Sequence, residues 1–222
     1  MVTSRQRQVL VFDMDGVLVD VSESYRETIV RTVEHFSGQR ISRALIQEYK
    51  NVGGWNNDWA LSKKICADLG VEVSYQDVVD YFNDLFLTQG LIHRERWLPK
   101  NGFFEALCER FDLAIFTGRN QIEVGVTLER ECCQDRFSMI VSSDDVENGK
   151  PHPEGLLKIA RRYPGKPVLY VGDTVDDARS ASAANVPFIG VAGPEAPDRE
   201  KLVKLLEAEG AIRVLSDINE IC

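Results

Sequence analysis

Five short apolar runs punctuate the chain, at residues 8–12, 113–116, 139–141, 168–171 and 188–191, with helical patterns between the later ones. Runs this short, separated by amphipathic helical spacing, predict a parallel sheet covered by helices on both faces. Each run stops in polar or glycine-containing sequence. In order these are Asp13-Met14-Asp15-Gly16, Thr117-Gly118-Arg119-Asn120, Ser142-Ser143-Asp144-Asp145, Gly172-Asp173-Thr174 and Ala192-Gly193-Pro194. Open α/β sheets bind ligands beyond the carboxyl ends of their strands, so a site is expected among these loops.

From residue 21 to residue 99 the pattern changes. Apolar side chains recur at helical spacing at Tyr25, Ile29, Val33 and Phe36, and again at Val78, Phe82, Leu85 and Phe86, with no strand-like run between them. The expected organisation is an α/β core of residues 1–20 and 100–222 with a helical domain, 21–99, inserted after the first strand. The chain leaves the core near Val19–Ser22 and returns through Pro99-Lys100-Asn101-Gly102, whose proline and glycine suit a hinge. A length of 222 residues accommodates one such core with a modest insert. Further on, residues 195–209 are expected to form a surface helix and residues 211–215 an edge strand.

Composition narrows the partners. A net charge of -9 argues against nonspecific nucleic-acid binding, which needs a basic face, but permits a locally positive site for a small anion. No apolar run approaches the roughly 20 residues that span a bilayer. Residues 1–8 carry no apolar signal core. Cys66, Cys108, Cys132, Cys133 and Cys222 are odd in number and follow no CxxC spacing, so a reducing, cytoplasmic setting is expected. A monomer or homodimer is the expected state.

The chemistry starts at Asp13 and Asp15. Carboxylates spaced i, i+2 past a buried strand point to the same side if strand geometry continues. So close, they repel and raise the pKa of one unless a cation intervenes. A phosphomonoester site can use both, one carboxylate attacking phosphorus and the other protonating the leaving oxygen before activating water. Taken alone, the pattern reads equally as an acidic turn. Thr117 and Gly118 offer a hydroxyl and backbone N–H groups at a strand-to-helix turn, which suits phosphate oxygens; the alternative is that Thr117 or Asn120 caps the following helix. Lys150, between the glycine and prolines of Gly149-Lys150-Pro151-His152-Pro153, is either a fixed cation or an exposed loop lysine. Asp173, Asp176 and Asp177 crowd another strand end, which favours an oxygen-ligated ion such as Mg²⁺, or else a helix N-cap by Asp173.

The four pieces in this order, Asp13-Met14-Asp15-Gly16-Val17-Leu18-Val19-Asp20, Phe116-Thr117-Gly118-Arg119, Gly149-Lys150-Pro151-His152-Pro153 and Val171-Gly172-Asp173-Thr174-Val175-Asp176-Asp177, closely resemble the haloacid dehalogenase superfamily. The resemblance covers residues 9–191. It implies a Rossmann-like core with an α-helical cap, as in phosphoglycolate phosphatase and β-phosphoglucomutase relatives. By the same match Asp13 is the nucleophile and Asp15 the general acid/base. Thr117, Gly118 and Lys150 bind the phosphoryl group. Mg²⁺ is held by Asp13, Asp15 through its backbone carbonyl, Asp173, and Asp177 as the better-spaced acidic partner, with Asp176 the alternative. Dehalogenases lack the second aspartate, so Asp15 argues against carbon–halogen cleavage. The implied activity is magnesium-dependent hydrolysis of a small phosphorylated metabolite; a phosphomutase is the second reading, and a noncatalytic binder of phosphorylated ligands the third.

In the insert, Asn51-Val52-Gly53-Gly54-Trp55-Asn56-Asn57-Asp58-Trp59 joins flexible glycines to stacking and amide side chains. Trp55, Asn56, Asn57 and, on the first helix of the insert, Arg26 are the candidates to close over the leaving group. The alternative is an Asn-capped turn with Trp59 packed inside the insert.

Overall fold

The computed structural model describes residues 7–221. Cys222 and residues 1–6, which make up most of the stretch 1–8 considered above, lie outside them. Strand β1 (Gln8–Phe12) runs into a turn and the two-residue β2 (Val19–Asp20). Helices α1 (Tyr25–Ser37), α2 (Arg43–Val52), α3 (Asp58–Asp68) and α4 (Tyr75–Asn83) follow, the last continued by a π-turn at Asp84–Thr88. After a short 3₁₀ turn at Leu91–Arg94 come β3 (Arg96–Trp97), α5 (Phe103–Cys108), β4 (Phe111–Phe116), α6 (Gln121–Arg130) and β5 (Phe137–Val141). Then come α7 (Glu154–Arg162), β6 (Val168–Gly172), α8 (Val175–Ala183), β7 (Phe188–Val191), α9 (Arg199–Ala208), β8 (Arg213–Leu215) and a 3₁₀ turn at Ile218–Ile221.

Six strands form one parallel sheet in the order β5-β4-β1-β6-β7-β8. The pleat of β1 explains the two-sided burial. Val9 and Val11 face a cluster with Leu156 and Ile159 of α7, Ala178 and Ala181 of α8, and Leu202 and Leu206 of α9. Leu10 and Phe12 face the other way, onto Phe103 and Leu107 of α5 and Val124 and Leu128 of α6. Both faces are therefore covered, which is why the strands read as unbroken apolar runs. Serines and asparagines start the helices: Ser42, Asn57, Ser74 and Asn120 each accept from a backbone N–H of the first turn.

Residues 25–83 hold α1 to α4, which pack through Tyr25, Phe82 and Phe86 (ring centroids 4.1 Å apart for Tyr25 and Phe86). The expectation of a strand-free stretch from 21 to 99 fails at its end. Arg96–Trp97 pairs antiparallel with Val19–Asp20, and the Arg96 guanidinium meets Asp20 at 2.8 Å. A two-residue ribbon is too short to leave a periodic signature. It joins the strand by which the chain leaves the core to the strand by which it returns. The surface helix is shorter than expected, Arg199–Ala208, and the terminal strand, Arg213–Leu215, does lie at the sheet edge, parallel to β7.

Candidate active site

Asp13 is the first residue beyond β1, and its N–H still bonds the Val171 carbonyl of β6 at 2.8 Å. The Met14 carbonyl then accepts from Leu18 and Val19, folding the chain back on itself. Gly16 sits at φ +73°, and a Cβ there would lie 2.0 Å from Asp173 Oδ2. Only glycine lets this loop rest against Asp173. Thr117 is tied through its N–H to the Val141 carbonyl at 3.0 Å, and Lys150 arrives from the loop before α7. Asp13, Asp15, Thr117, Gly118, Lys150 and Asp173 all line one cavity of about 330 Å³ beyond the carboxyl edge of the sheet.

Lys150 is not a loop lysine in solvent. Its side chain is 1% exposed, with Nζ 2.8 Å from Asp13 Oδ1 and 2.7 Å from Asp177 Oδ1. Burial opposes its charge, but the Asp13 and Asp177 carboxylates outweigh that and hold it above the ordinary lysine value. Asp177 is saturated with donors. Its Oδ1 also accepts from the Tyr170 hydroxyl at 2.6 Å, and its Oδ2 accepts from Asp173 N–H, Thr174 N–H and the Thr174 hydroxyl at 3.2, 3.0 and 2.6 Å. Burial raises its pKa, yet Lys150 and these donors bring it below the ordinary value. The helix cap is consequently Thr174, in a reciprocal capping box with Asp177, and not Asp173.

Asp13 and Asp173 are the strained members. Burial, with added repulsion from Asp177 and Asp15, pushes Asp13 up to about 7 against the pull of Lys150. Burial and the Asp177 and Asp13 charges push Asp173 well above the usual carboxylate range. Among the described residues Asp173 Oδ1 is buried without a hydrogen-bond partner. One carboxylate oxygen each from Asp13, Asp173 and Asp177 lies within 4.8 Å of the others. These donors fit a hard divalent cation, with Asp13 and Asp173 as the carboxylates not already satisfied and Asp177 fixing the Asp173 loop from behind. One oxygen of the Asp15 carboxylate, Oδ1, is taken by Arg119 at 2.8 and 2.6 Å. Asp176 faces the insert: its carboxylate accepts the Gly54 N–H at 2.7 Å, while Arg179 donates to the Val52 carbonyl at 3.1 Å. The acidic alternative for the metal is thus a clasp on the Gly53–Gly54 loop.

The insert candidates divide. A Cβ on Gly118 would lie 2.5 Å from Asn56 Nδ2, so Asn56 reaches across the cleft to the Thr117-Gly118 turn. Asn57 lines the same cavity, but its carbonyl caps α3 by accepting from Ala60 N–H at 2.9 Å and its amide donates to the Tyr75 hydroxyl at 3.2 Å. Trp55 leaves the site altogether and packs edge-on against Tyr49, with centroids 6.1 Å apart. Trp59 sits edge-on to Phe82 and borders the cavity. Arg26 lines it too, donating to Gln47 Oε1 at 3.2 Å. Lys50, which lies in none of the four motifs, also reaches the cavity but is paired with Asp58 at 2.5 Å. Glu95 lies outside the motifs too; its side chain is buried and meets Arg119 at 2.6 Å. Its only sequence signal is an acidic residue in a basic run, His93-Arg94-Glu95-Arg96.

Among known families, residues 10–191 match the haloacid dehalogenase-like hydrolases. The chain is 31% identical over 229 residues to an imidazoleglycerol-phosphate dehydratase of Phytophthora nicotianae, a match covering 94% of this chain and 50% of that protein. It is 37% identical over 81 residues to the phosphoglycolate phosphatase of Escherichia coli K12, covering 36% of this chain and 32% of the relative. It thus spans half of the first and about a third of the second. Among solved structures, a predicted phosphoglycolate phosphatase from Haemophilus somnus superposes with a TM-score of 0.78 at 20% identity, over 98% of this chain and 97% of the other. The phosphatase Tt82 from Thermococcus thioreducens superposes with a TM-score of 0.66 at 25% identity, over 90% and 99%.

Proposed function

The chain belongs to the haloacid dehalogenase-like hydrolases, and from that premise we propose that it is a magnesium-dependent phosphatase acting on a small phosphate monoester. The observation that carries the reading is the convergence of Asp13, Asp15, Thr117, Lys150 and Asp173 on one cavity of about 330 Å³, room for a metabolite and not for a polymer. Residues 21–99 act as a cap over that cavity, clasped through Asp176 and Gly54.

In the first step a carboxylate oxygen of Asp13 attacks phosphorus. The ester P–O bond breaks, its electron pair stays on the leaving oxygen, and that oxygen takes the proton of Asp15. In the second step a water oxygen attacks the aspartyl phosphate, gives its proton to Asp15, and frees Asp13 and inorganic phosphate. Lys150 offsets the charge on Asp13 and on the transferring oxygens, and the Thr117 hydroxyl with the turn at Gly118 receives one of those oxygens. Bound Mg²⁺ supplies Lewis-acid charge stabilisation there. Asn56 and Arg26 contact the leaving group from the cap side. A phosphomutase needs the cap to grip a second phosphate; Lys50 is neutralised by Asp58 at 2.5 Å, whereas Arg26 donates only to the neutral Gln47, so persistence of the phosphate on Asp13 against its rapid release separates the two readings.

The test is a magnesium-supplemented panel of phosphorylated metabolites read by inorganic phosphate release, with Asp13→Asn as control. Release by the wild-type chain and none by the variant supports the reading; no release from any ester, activated aryl phosphates included, sinks it. The two amides of the cap separate cleanly. Asn56→Ala should raise KM roughly 3–10-fold, the worth of one hydrogen bond, without moving the melting temperature. Asn57→Ala should instead cost about 1 kcal/mol of stability through the lost cap of α3, measured by urea unfolding.

A further inference from the structure

A buried chain of charged side chains ties Asp15 to the strand by which the cap returns to the core. The Arg119 side chain has no exposure. Its Nε and Nη2 donate to Asp15 Oδ1 at 2.8 and 2.6 Å, and Nη2 also meets Glu95 Oε1 at 2.6 Å. Its Nη1 donates to the Thr127 hydroxyl at 2.7 Å, and that hydroxyl donates to Glu95 Oε2 at 2.8 Å. Arg130 closes the other side, with Nη2 at 3.1 Å from the same Glu95 oxygen and Nη1 on the Ile92 carbonyl at 3.1 Å. The Tyr25 ring lies 5.0 Å from the Arg119 guanidinium. Glu131 also meets Arg130 Nε at 2.8 Å, at the more exposed end of the chain. The two side chains held out of water, Arg119 and Glu95, are thus paired with each other and with a further opposite charge each.

The arrangement does more than neutralise. A guanidinium is a rigid planar fork, so a side chain held at Nε and Nη2 together is fixed in direction as well as attracted. Both contacts fall on Asp15 Oδ1. Among the described residues Oδ2 accepts no hydrogen bond, and the Asp15 side chain is 32% exposed at the cavity. One oxygen is anchored and the other is left for the substrate. The anchor is set in turn by Glu95, which closes the 3₁₀ turn Leu91–Arg94 and precedes β3, the returning half of the ribbon.

We infer that Glu95 and Arg119 are positioning residues that aim the Asp15 carboxyl at the leaving oxygen and make that aim depend on the seating of the cap's return strand. This rests on the phosphatase reading above. Misaimed, Asp15 fails to protonate a poor leaving group, whereas a stable aryl oxide departs with little need of a proton. The ratio kcat/KM counts the steps up to departure of that group, so it isolates this act from later dephosphorylation. The experiment compares kcat/KM for the best alkyl phosphate of the metabolite panel and for p-nitrophenyl phosphate, in wild type, Glu95→Gln and Thr127→Val. For Glu95→Gln the alkyl value should fall at least about tenfold further than the aryl value, and for Thr127→Val about threefold further. Equal losses on both esters, or no alkyl loss in either variant, overturn the inference; if Glu95→Gln does not fold, Thr127→Val alone decides. A wild-type chain that cleaves neither ester sinks the phosphatase reading and this inference with it, while equal losses sink the inference alone.

Discussion

Asp13→Asn is expected to lower kcat by about 10⁴-fold or more while leaving a folded protein. An amide is a poor nucleophile at phosphorus, yet it has the shape of the carboxylate it replaces. The fold survives because the charge it removes is one the site holds with difficulty: burial, with repulsion from Asp177 and Asp15, pushes Asp13 up to about 7 despite Lys150. Lys150 keeps a buried partner, Asp177, at 2.7 Å, so the substitution does not strand a cation. At neutral pH and without metal the variant should therefore be at least as stable as wild type. The readouts are initial rates of phosphate release at saturating Mg²⁺ and the urea midpoint of the metal-free protein. Turnover within tenfold of wild type removes Asp13 from the nucleophile's role. A collapse of stability instead shows that the carboxylate, not the shape, holds the strand end together.

Much of this site is readable along the chain because its parts are local. A strand of four or five apolar residues followed by Asp, Thr or Gly-Asp announces both the strand and the loop beyond it. The parallel sheet then brings Asp13, Thr117 and Asp173 to one edge without further instruction. What is not readable depends on one residue of rotation or on closure at a distance. Asp176 and Asp177 are adjacent, but on a helix they point about 100° apart, so one clasps Gly54 and the other grips Lys150. Asn56 and Asn57 divide in the same way, the second committed to Ala60 as the cap of α3. Trp55 is spent on Tyr49, a partner visible only once α2 is in place. The pairing of Glu95 with Arg119 needs the chain returning from the insert, just before Arg96–Trp97, laid against the core, and no spacing in the sequence encodes that contact.

Removing Mg²⁺ with a chelator is expected to end phosphate release and to leave a protein whose stability depends on pH in a defined direction. Asp13 in the folded, metal-free chain titrates at about 7, above its ordinary 3.8, because burial disfavours the charged form. A carboxyl raised on folding contributes stability that is fully present below its unfolded value and is lost as pH rises through the folded value. Asp173 moves in the same direction, for the same first cause. Asp177 moves the other way, so its contribution is present above its ordinary value and fades only in acid, below the window at issue. Between about pH 4 and pH 7 the metal-free protein should accordingly lose the contribution of Asp13. A cation bound between Asp13 and Asp173 reverses that loss, since it replaces the protons those carboxylates otherwise retain. The stabilisation by Mg²⁺ should then grow with pH, from little near pH 5 to about 2.7 kcal/mol near pH 8 at a concentration of about 100 Kd. Thermal melts with and without Mg²⁺ across that range measure it, with Asp173→Asn as the comparison, in which the increment should vanish at every pH. An increment that is flat with pH, or one that persists in Asp173→Asn, means the cation binds elsewhere on this acidic chain.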